Sequence, residues 1–330
     1  MANNDNMNFD HIVVQKPSIK QRMYKYRWFY IMFLPVAVVL FIFYYWPMLG
    51  IRYAWSTYKL KQITMRTGPD YSIGWGNFKR LLTADPFQAA FKNTIILSLV
   101  NLILATVFTV VVALLINEIG NAWGKKTVQT VLYLPHFLSW VVAASIFMLI
   151  LSAGTDATGA DTSNMGFVNA ILYNIGIIDK PIDFLTDSKC WRPVWYIMNR
   201  WKETGWGTII YLAALSSISP DLYEAAEIDG ANRFKQTIYI TLPSLMNTIL
   251  IVFILNLAKI MNIFESVFVL YNSLVYDVSD VIQTYVYRVG IVGNDYGYST
   301  AIGLFKSVIS LILVTASDII SKKVRGEGIV

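Results

Sequence analysis

Six mostly apolar stretches alternate with polar segments along the chain, over about 28–49, 93–116, 128–151, 194–217, 245–271 and 298–320. An α-helix rises about 1.5 Å per residue, so each stretch is long enough to cross a hydrocarbon layer roughly 30 Å thick. The pattern predicts an all-α, polytopic membrane protein with six transmembrane helices. Lys16, Lys20, Arg22, Lys25 and Arg27 precede the first stretch, as in a secretory signal, but no small-residue cleavage site follows it. It is therefore read as a retained helix. Tyr24, Tyr26, Trp28 and Tyr30 gather at one end of it and Tyr44, Tyr45 and Trp46 at the other, the depths that amphipathic rings favour. Pro47 and Gly50 close it. In the second stretch Ala105, Thr109 and Ala113 recur every four residues, a small face suited to close helix packing. The fourth stretch is more polar than the rest. Residues 152–164 read as an irregular turn region. Phe167, Ala170, Ile171 and Asn174 follow at helical spacing, which predicts a short helix on the outer surface over Gly166–Ile175.

Lysine and arginine decide the orientation. With the N-terminus inside, the cytoplasmic pieces 1–27, 118–126, 218–243 and 322–330 hold 12 of them in 71 residues, and the outer pieces hold 10 in 106. Positive charge is denser inside, so both termini are expected in the cytoplasm and Cys190 outside. The domain organisation follows: a cytoplasmic segment 1–27, a six-helix membrane domain 28–321 and a cytoplasmic tail 322–330.

Composition narrows the function. Hydrophobic residues make up 55% of the 330 and charged residues 15%, against roughly a quarter charged in an average soluble domain. Disorder and an ordinary soluble enzyme are both excluded. One cysteine rules out an internal disulfide and a thiolate metal cluster, and two histidines, His11 and His136, leave no metal site. Gly124-Lys125-Lys126-Thr127 lacks the upstream glycine and the Gly-Lys-Ser/Thr ending of a phosphate-binding loop. No nucleophile–base pair is evident. The net charge of +6 is spread along the chain, so it reads as topology and not as a nucleic-acid surface. Uphill transport would have to draw energy from a partner or an ion gradient.

The most informative segment is the inner loop 219–243. Ser219 suits an N-cap, Pro220 the first helical position, and Asp221 the first turn, where the helix dipole favours an acid. Ala225 and Ala226 allow another surface to come close. Gly230 can take a positive φ and turn the chain. A second short helix is expected up to Pro243.

Glu-Ala-Ala, three residues, Gly, nine residues, Ile-x-Leu-Pro resembles the EAA loop of permease subunits in binding-protein-dependent ABC importers. Glu224, Ala225, Ala226, Gly230, Ile240, Leu242 and Pro243 carry that pattern. Gly74-Trp75-Gly76-Asn77-Phe78, Asn93-Thr94, Ala113–Glu118, Tyr133–Trp140, Trp201-Lys202-Glu203 and Tyr211–Leu215 are similar to the sugar-importer branch, closest to the polysaccharide-fragment and lipoprotein-associated permeases. The large periplasmic insertion of the maltose transporter's larger membrane subunit is missing. The resemblance implies the type I importer fold and a multi-pass place in a bacterial cytoplasmic membrane. It also implies a second, different permease chain, two ATPase subunits carrying ATP and Mg, and an extracytoplasmic binding protein that delivers a sugar, expected to be an oligosaccharide, neutral or acidic. The chain itself would hold no cofactor and catalyse no covalent step. Glu224, Ala225, Ala226, Asp229, Gly230, Ile240, Leu242 and Pro243 would then couple it to the ATPases.

Charges inside apolar spans need pairing, water or a substrate path. Lys92, Arg200, Lys202, Lys259 and Lys306 fall in or beside the spans, as do Glu203 and Glu265. Lys92 reads as a snorkelling end residue. Arg200 and Glu203, three apart, either pair locally or face the path. Asn256, Lys259, Asn262 and Ser266 would share one face of a continuous fifth helix, lining a cavity or packing on a partner helix. With Asn199, Lys202 and Glu203 they form the candidate substrate path. Trp191, Trp195, Trp201 and Trp206 read as interface anchors or as sugar-stacking rings. A gradient-driven secondary transporter would need ion sites at interrupted helices; a membrane scaffold would leave loop 219–243 unused.

Overall fold

Periodic apolar runs without internal turn signals give helices, and a computed structural model, describing residues 18–56, 74–154 and 164–325, contains no strand among them. Lys16, His11, most of the turn region 152–164 and the last five residues of the tail lie outside the described residues.

Two compact units are separable, Met1–Arg52 and Tyr53–Val330. In the first, Ser18 and Gln21 form a capping box on α1 (Ile19–Lys25), which leads into α2 (Arg27–Leu40). A π-helical turn, Phe41–Tyr45, joins α2 to α3 (Trp46–Met48). The helical run Arg27–Trp55 is 29 residues long.

In the second unit, α4 (Gly76–Thr83) precedes α5 (Asp85–Asn117), a 33-residue helix. Asn77 of α4 is buried and donates to the carbonyls of Ala54 (2.9 Å) and Ser56 (3.0 Å), which fixes the chain entering the unit. The third apolar stretch is not one helix. It divides into α6 (Ala122–Tyr133), a 3-10 turn Leu134–Phe137 and α7 (Trp140–Leu151), the two arms meeting at 101°. Pro135 has no N–H to continue the ladder, Leu138 is extended, and Ser139 caps the restart by accepting from Val142 N.

The predicted short helix forms as α8 (Phe167–Asn174). Its Asn169 is fully buried: Nδ2 donates to the carbonyls of Leu151, Ser152 and Ile182 at 2.9–3.1 Å, and Oδ1 accepts from Ile182 N at 2.9 Å. Asn169→Ala strands those groups at once. The loss should be about 3 kcal/mol, read as a lowered melting temperature of the purified protein.

α9 (Ser188–Leu215) is the central helix, and it packs along α5. Its polar composition has a structural reason: Asn199, Lys202, Thr204 and Thr208 are buried against protein. Trp191 and Trp195 are also fully buried, so neither is an interface anchor, and Trp191 Nε1 donates to the Leu270 carbonyl at 3.1 Å.

Loop 219–243 holds α10 (Pro220–Ile228) and α11 (Arg233–Gln236). The second helix does not stop at Pro243. It continues through a π turn, Thr237–Thr241, into α12 (Leu242–Leu257), giving a 25-residue apolar run, Arg233–Leu257. Pro243 sits in the first turn of α12, where its missing N–H costs little.

The fifth stretch breaks at Leu257, earlier than expected. Turn bonds Lys259 N to Asn256 O (3.0 Å) and Ile260 N to Leu257 O (3.2 Å) tighten the end, and Ile260 and Met261 leave the helix to enter a core with Leu102, Ile282 and Tyr298. The chain resumes as α13 (Glu265–Phe268), α14 (Tyr276–Ser279) and α15 (Ile282–Val286) before α16 (Tyr296–Arg325). The expected polar stripe therefore does not exist as one helix face: only Asn256 is helical within α12, and Ser266 lies on α13.

Among the described residues four helices are long and apolar enough to cross a membrane, five if the bent pair counts as one span. α9 is long enough, but its charges separate it from that set.

Candidate functional site

Two places concentrate unspent chemistry. The first is a cavity of about 360 Å³ between α5, α9 and the end of α12. α5 contributes Ser98, Asn101, Ala105, Thr106 and Thr109, and α9 contributes Arg200, Glu203 and Trp206. Asn256 and Lys259 come from the α12 end. The walls approach closely below: a Cβ at Gly207 would lie 2.9 Å from Thr109 Cγ2. The repeat Ala105–Thr109–Ala113 thus has two uses. Ala113 packs in an apolar core with Tyr211 and Leu245, while Ala105 and Thr109 face the cavity.

Of the seven candidate path residues, Glu203, Asn256 and Lys259 line the cavity, and Asn199, Lys202, Asn262 and Ser266 do not. Asn199 turns its amide back to the Trp195 carbonyl, 2.8 Å away. Ser266 is buried. Asn262 accepts from Lys306 Nζ at 2.9 Å and from Gln283 at 3.3 Å, which gives Lys306 a neutral partner.

The local Arg200–Glu203 pair does not form. Arg200 Nη2 donates to Asn101 Oδ1 across the cavity at 2.7 Å. Glu203 instead meets His136 Nδ1 at 2.9 Å and Lys202 Nζ at 3.6 Å. A carboxylate only accepts, so the imidazole N–H at Nδ1 is the donor. Helix rotation explains the exchange: Gly205 lets α9 press on the Leu132 carbonyl, which brings the corner after α6 to residues 202–206. Arg200 Nε and Ser98 Oγ are buried without a hydrogen-bond partner, and Lys259 has no ion-pair partner among the described residues. Composition alone did not single out Ser98, Asn101 or Thr106; their recurrence on one face of the second stretch was the available signal.

The second place is the loop around α10. Ser219 Oγ accepts from Asp221 N at 3.3 Å. At the other end Ala231 N donates to Ala226 O (2.8 Å) and Gly230 N to Glu227 O (3.0 Å), with Gly230 at φ +78°. Those two bonds with a left-handed residue make a Schellman cap. Asn232 then caps α11 by accepting from Lys235 N at 2.9 Å. Tyr223 OH and Thr241 Oγ1 are 3.0 Å apart, and Arg233 reaches Glu118 at 3.4 Å, so the loop is tied to the helices on both sides. Glu224, Ala225 and Asp229 are exposed, and so are the apolar side chains of Ile228 (87%) and Phe234 (72%).

At the start of α9, Cys190 lines an apolar groove between α7, α8 and α9. Burial first, then the Asp187 charge, push its thiol up from the usual value.

Residues 105–326 match the protein family described as "Binding-protein-dependent transport system inner membrane component". Protein LplB of Bacillus subtilis (strain 168) is 36% identical over 304 residues, covering 92% of this chain and 91% of that protein. The polygalacturonan/rhamnogalacturonan transport system permease protein YteP of the same organism is 35% identical over 324 residues, covering 97% and 96%. A solved bacterial alginate ABC transporter, crystallised with an alginate pentasaccharide-bound periplasmic protein, contains a chain 35% identical to this one. It superposes with a TM-score of 0.82, covering 94% of this chain and 99% of that one.

Proposed function

We propose an acidic oligosaccharide as the cargo of this chain, which belongs to the family of binding-protein-dependent transport system inner membrane components and is a permease of the sugar ABC importer class. The observation that carries the proposal is the charge of the cavity. Arg200 and Lys259 face it without an ion-pair partner among the described residues, while Glu203 is turned to His136 and Lys202. Unpaired cations at membrane depth cost about 2.5–3.5 kcal/mol each on insertion scales. Sugar carboxylates passing through would offset that cost, and the sugar hydroxyls suit Ser98, Asn101, Thr106 and Asn256. Polygalacturonan and alginate, named for two of the similar proteins, are polymers of uronic acids.

The rest of the machine is inferred from the family. A second permease chain completes the path, and an extracytoplasmic binding protein delivers the sugar. Two ATPase subunits bind ATP and Mg on the cytoplasmic side, where both termini lie. They dock on loop 219–243, whose Ile228 and Phe234 are exposed among the described residues. ATP-driven closure of the ATPases moves α10, and α9 carries that motion to the cavity, because only residues 216–219 separate the two helices.

The test is uptake by the reconstituted transporter, inhibited by vanadate, of a uronate trisaccharide against a neutral trisaccharide. Arg200→Gln or Lys259→Gln should slow the uronate about tenfold, equivalent to about 1.4 kcal/mol, and the neutral sugar less than about twofold. Equal loss of both sugars with poor recovery of the complex would reveal a structural ion pair with the second permease and overturn the acidic reading.

A further inference from the structure

We infer that His136 is a positioning residue that raises the positive charge the cavity presents, by holding the acidic side chain in its wall. The inference rests on the cavity being the solute path. Among the residues lining it, Glu203 is the acid and Arg200 and Lys259 are the bases. His136 and Lys202 do not line it. They take Glu203 from the protein side, His136 at Oε2 (2.9 Å) and Lys202 at Oε1 (3.6 Å), so both carboxylate oxygens are occupied.

The clamp is fixed on three further counts. The His136 ring stacks on Trp206, centroids 4.6 Å apart and planes within 3°. Lys202 Nζ donates to the His136 carbonyl at 2.8 Å and lies over the Trp140 ring at 5.0 Å. The close Gly205–Leu132 contact keeps α6 from moving off α9. His136 thus holds Glu203 through its ring and Lys202 through its carbonyl.

Charge bookkeeping gives the consequence. Lys202 and Glu203 cancel, leaving Arg200 and Lys259 facing the cavity; the polar side chains that α5 presents are neutral. Holding Glu203 away from Arg200 and Lys259 leaves their charge available to anions in the cavity.

Modification rates measure this without relying on transport. The chain's only cysteine is removed with Cys190→Ser, and Ala105→Cys places a thiol on the cavity wall. The purified transporter in nanodiscs is treated with anionic and cationic methanethiosulfonates of similar size. The rate ratio cancels the thiolate fraction, which affects both reagents alike. His136→Leu frees Glu203 and should lower the anionic-to-cationic ratio about threefold or more, the effect of one nearby charge. His136→Gln keeps a donor to Glu203 and should stay near the parent ratio. With Glu203→Gln added, His136→Leu should have no further effect. A ratio unchanged in His136→Leu, or lowered as much by His136→Leu when Glu203→Gln is present, would overturn the inference. If the ratios behave as expected but uronate uptake shows no advantage, the clamp stands and the acidic-cargo reading falls.

Discussion

Gly205→Ala should cost the protein its assembled form. The added Cβ would lie 1.9 Å from the Leu132 carbonyl oxygen and 2.5 Å from its carbon, both backbone atoms. No rotamer change can relieve a backbone clash, so α6 and α9 would have to separate by more than an ångström. That separation would also pull His136 away from Lys202, Glu203 and Trp206. A loss of about 3 kcal/mol or more is expected, a large share of a typical folding free energy. The measurement is the yield of monodisperse protein from membranes and its melting temperature. Gly303→Ala is the control: it is the same chemical change within α16, and its Cβ would meet nothing within 4 Å. Equal recovery of the two variants would show that the helices are not in the contact described.

Gly230→Pro should abolish uptake while leaving assembly nearly intact. Space is not the reason, since a Cβ there meets nothing within 4 Å. The backbone is. Proline fixes φ near −65°, whereas Gly230 has φ +78°. Proline also lacks the N–H that donates to Glu227 O at 3.0 Å. Without that cap the chain leaves α10 in another direction, and Ile228 and Phe234 no longer present one surface. Transport should fall about a hundredfold or more, with ATP hydrolysis no longer stimulated by loaded binding protein. Gly230→Ala keeps the N–H and pays only the left-handed strain, about 1–2 kcal/mol, so it should be distinctly milder. Comparable uptake by the proline variant and the wild type would show that the turn does not transmit the motion.

Much of the architecture is written in local terms. Apolar length sets the helices, and Ser219, Pro220 and Gly230 fix the start and end of α10, because capping and positive φ depend on neighbours a few residues away. The loop pattern also reveals the family, since its residues lie in one short segment. The end of the fifth helix was not legible. Ile260, Met261, Ile263 and Phe264 continue the apolar run past Leu257, and hydropathy does not register a turn whose residues remain apolar. The break comes from Ile260 and Met261 joining a core with Leu102, Ile282 and Tyr298, contacts distant in sequence.

The electrostatics of the cavity divide in the same way. The sequence by itself determined which charges the chain carries into the apolar layer and that Arg200 and Glu203 lie three residues apart. Only the tertiary structure decided their partners. Glu203 goes to His136, 67 residues away, and Arg200 to Asn101, 99 residues away. The physical reason is that a helix's rotation about its axis is set by what it packs against, here Gly205 on Leu132 and Gly207 on Thr109. That rotation chooses, among side chains of known type, which ones meet.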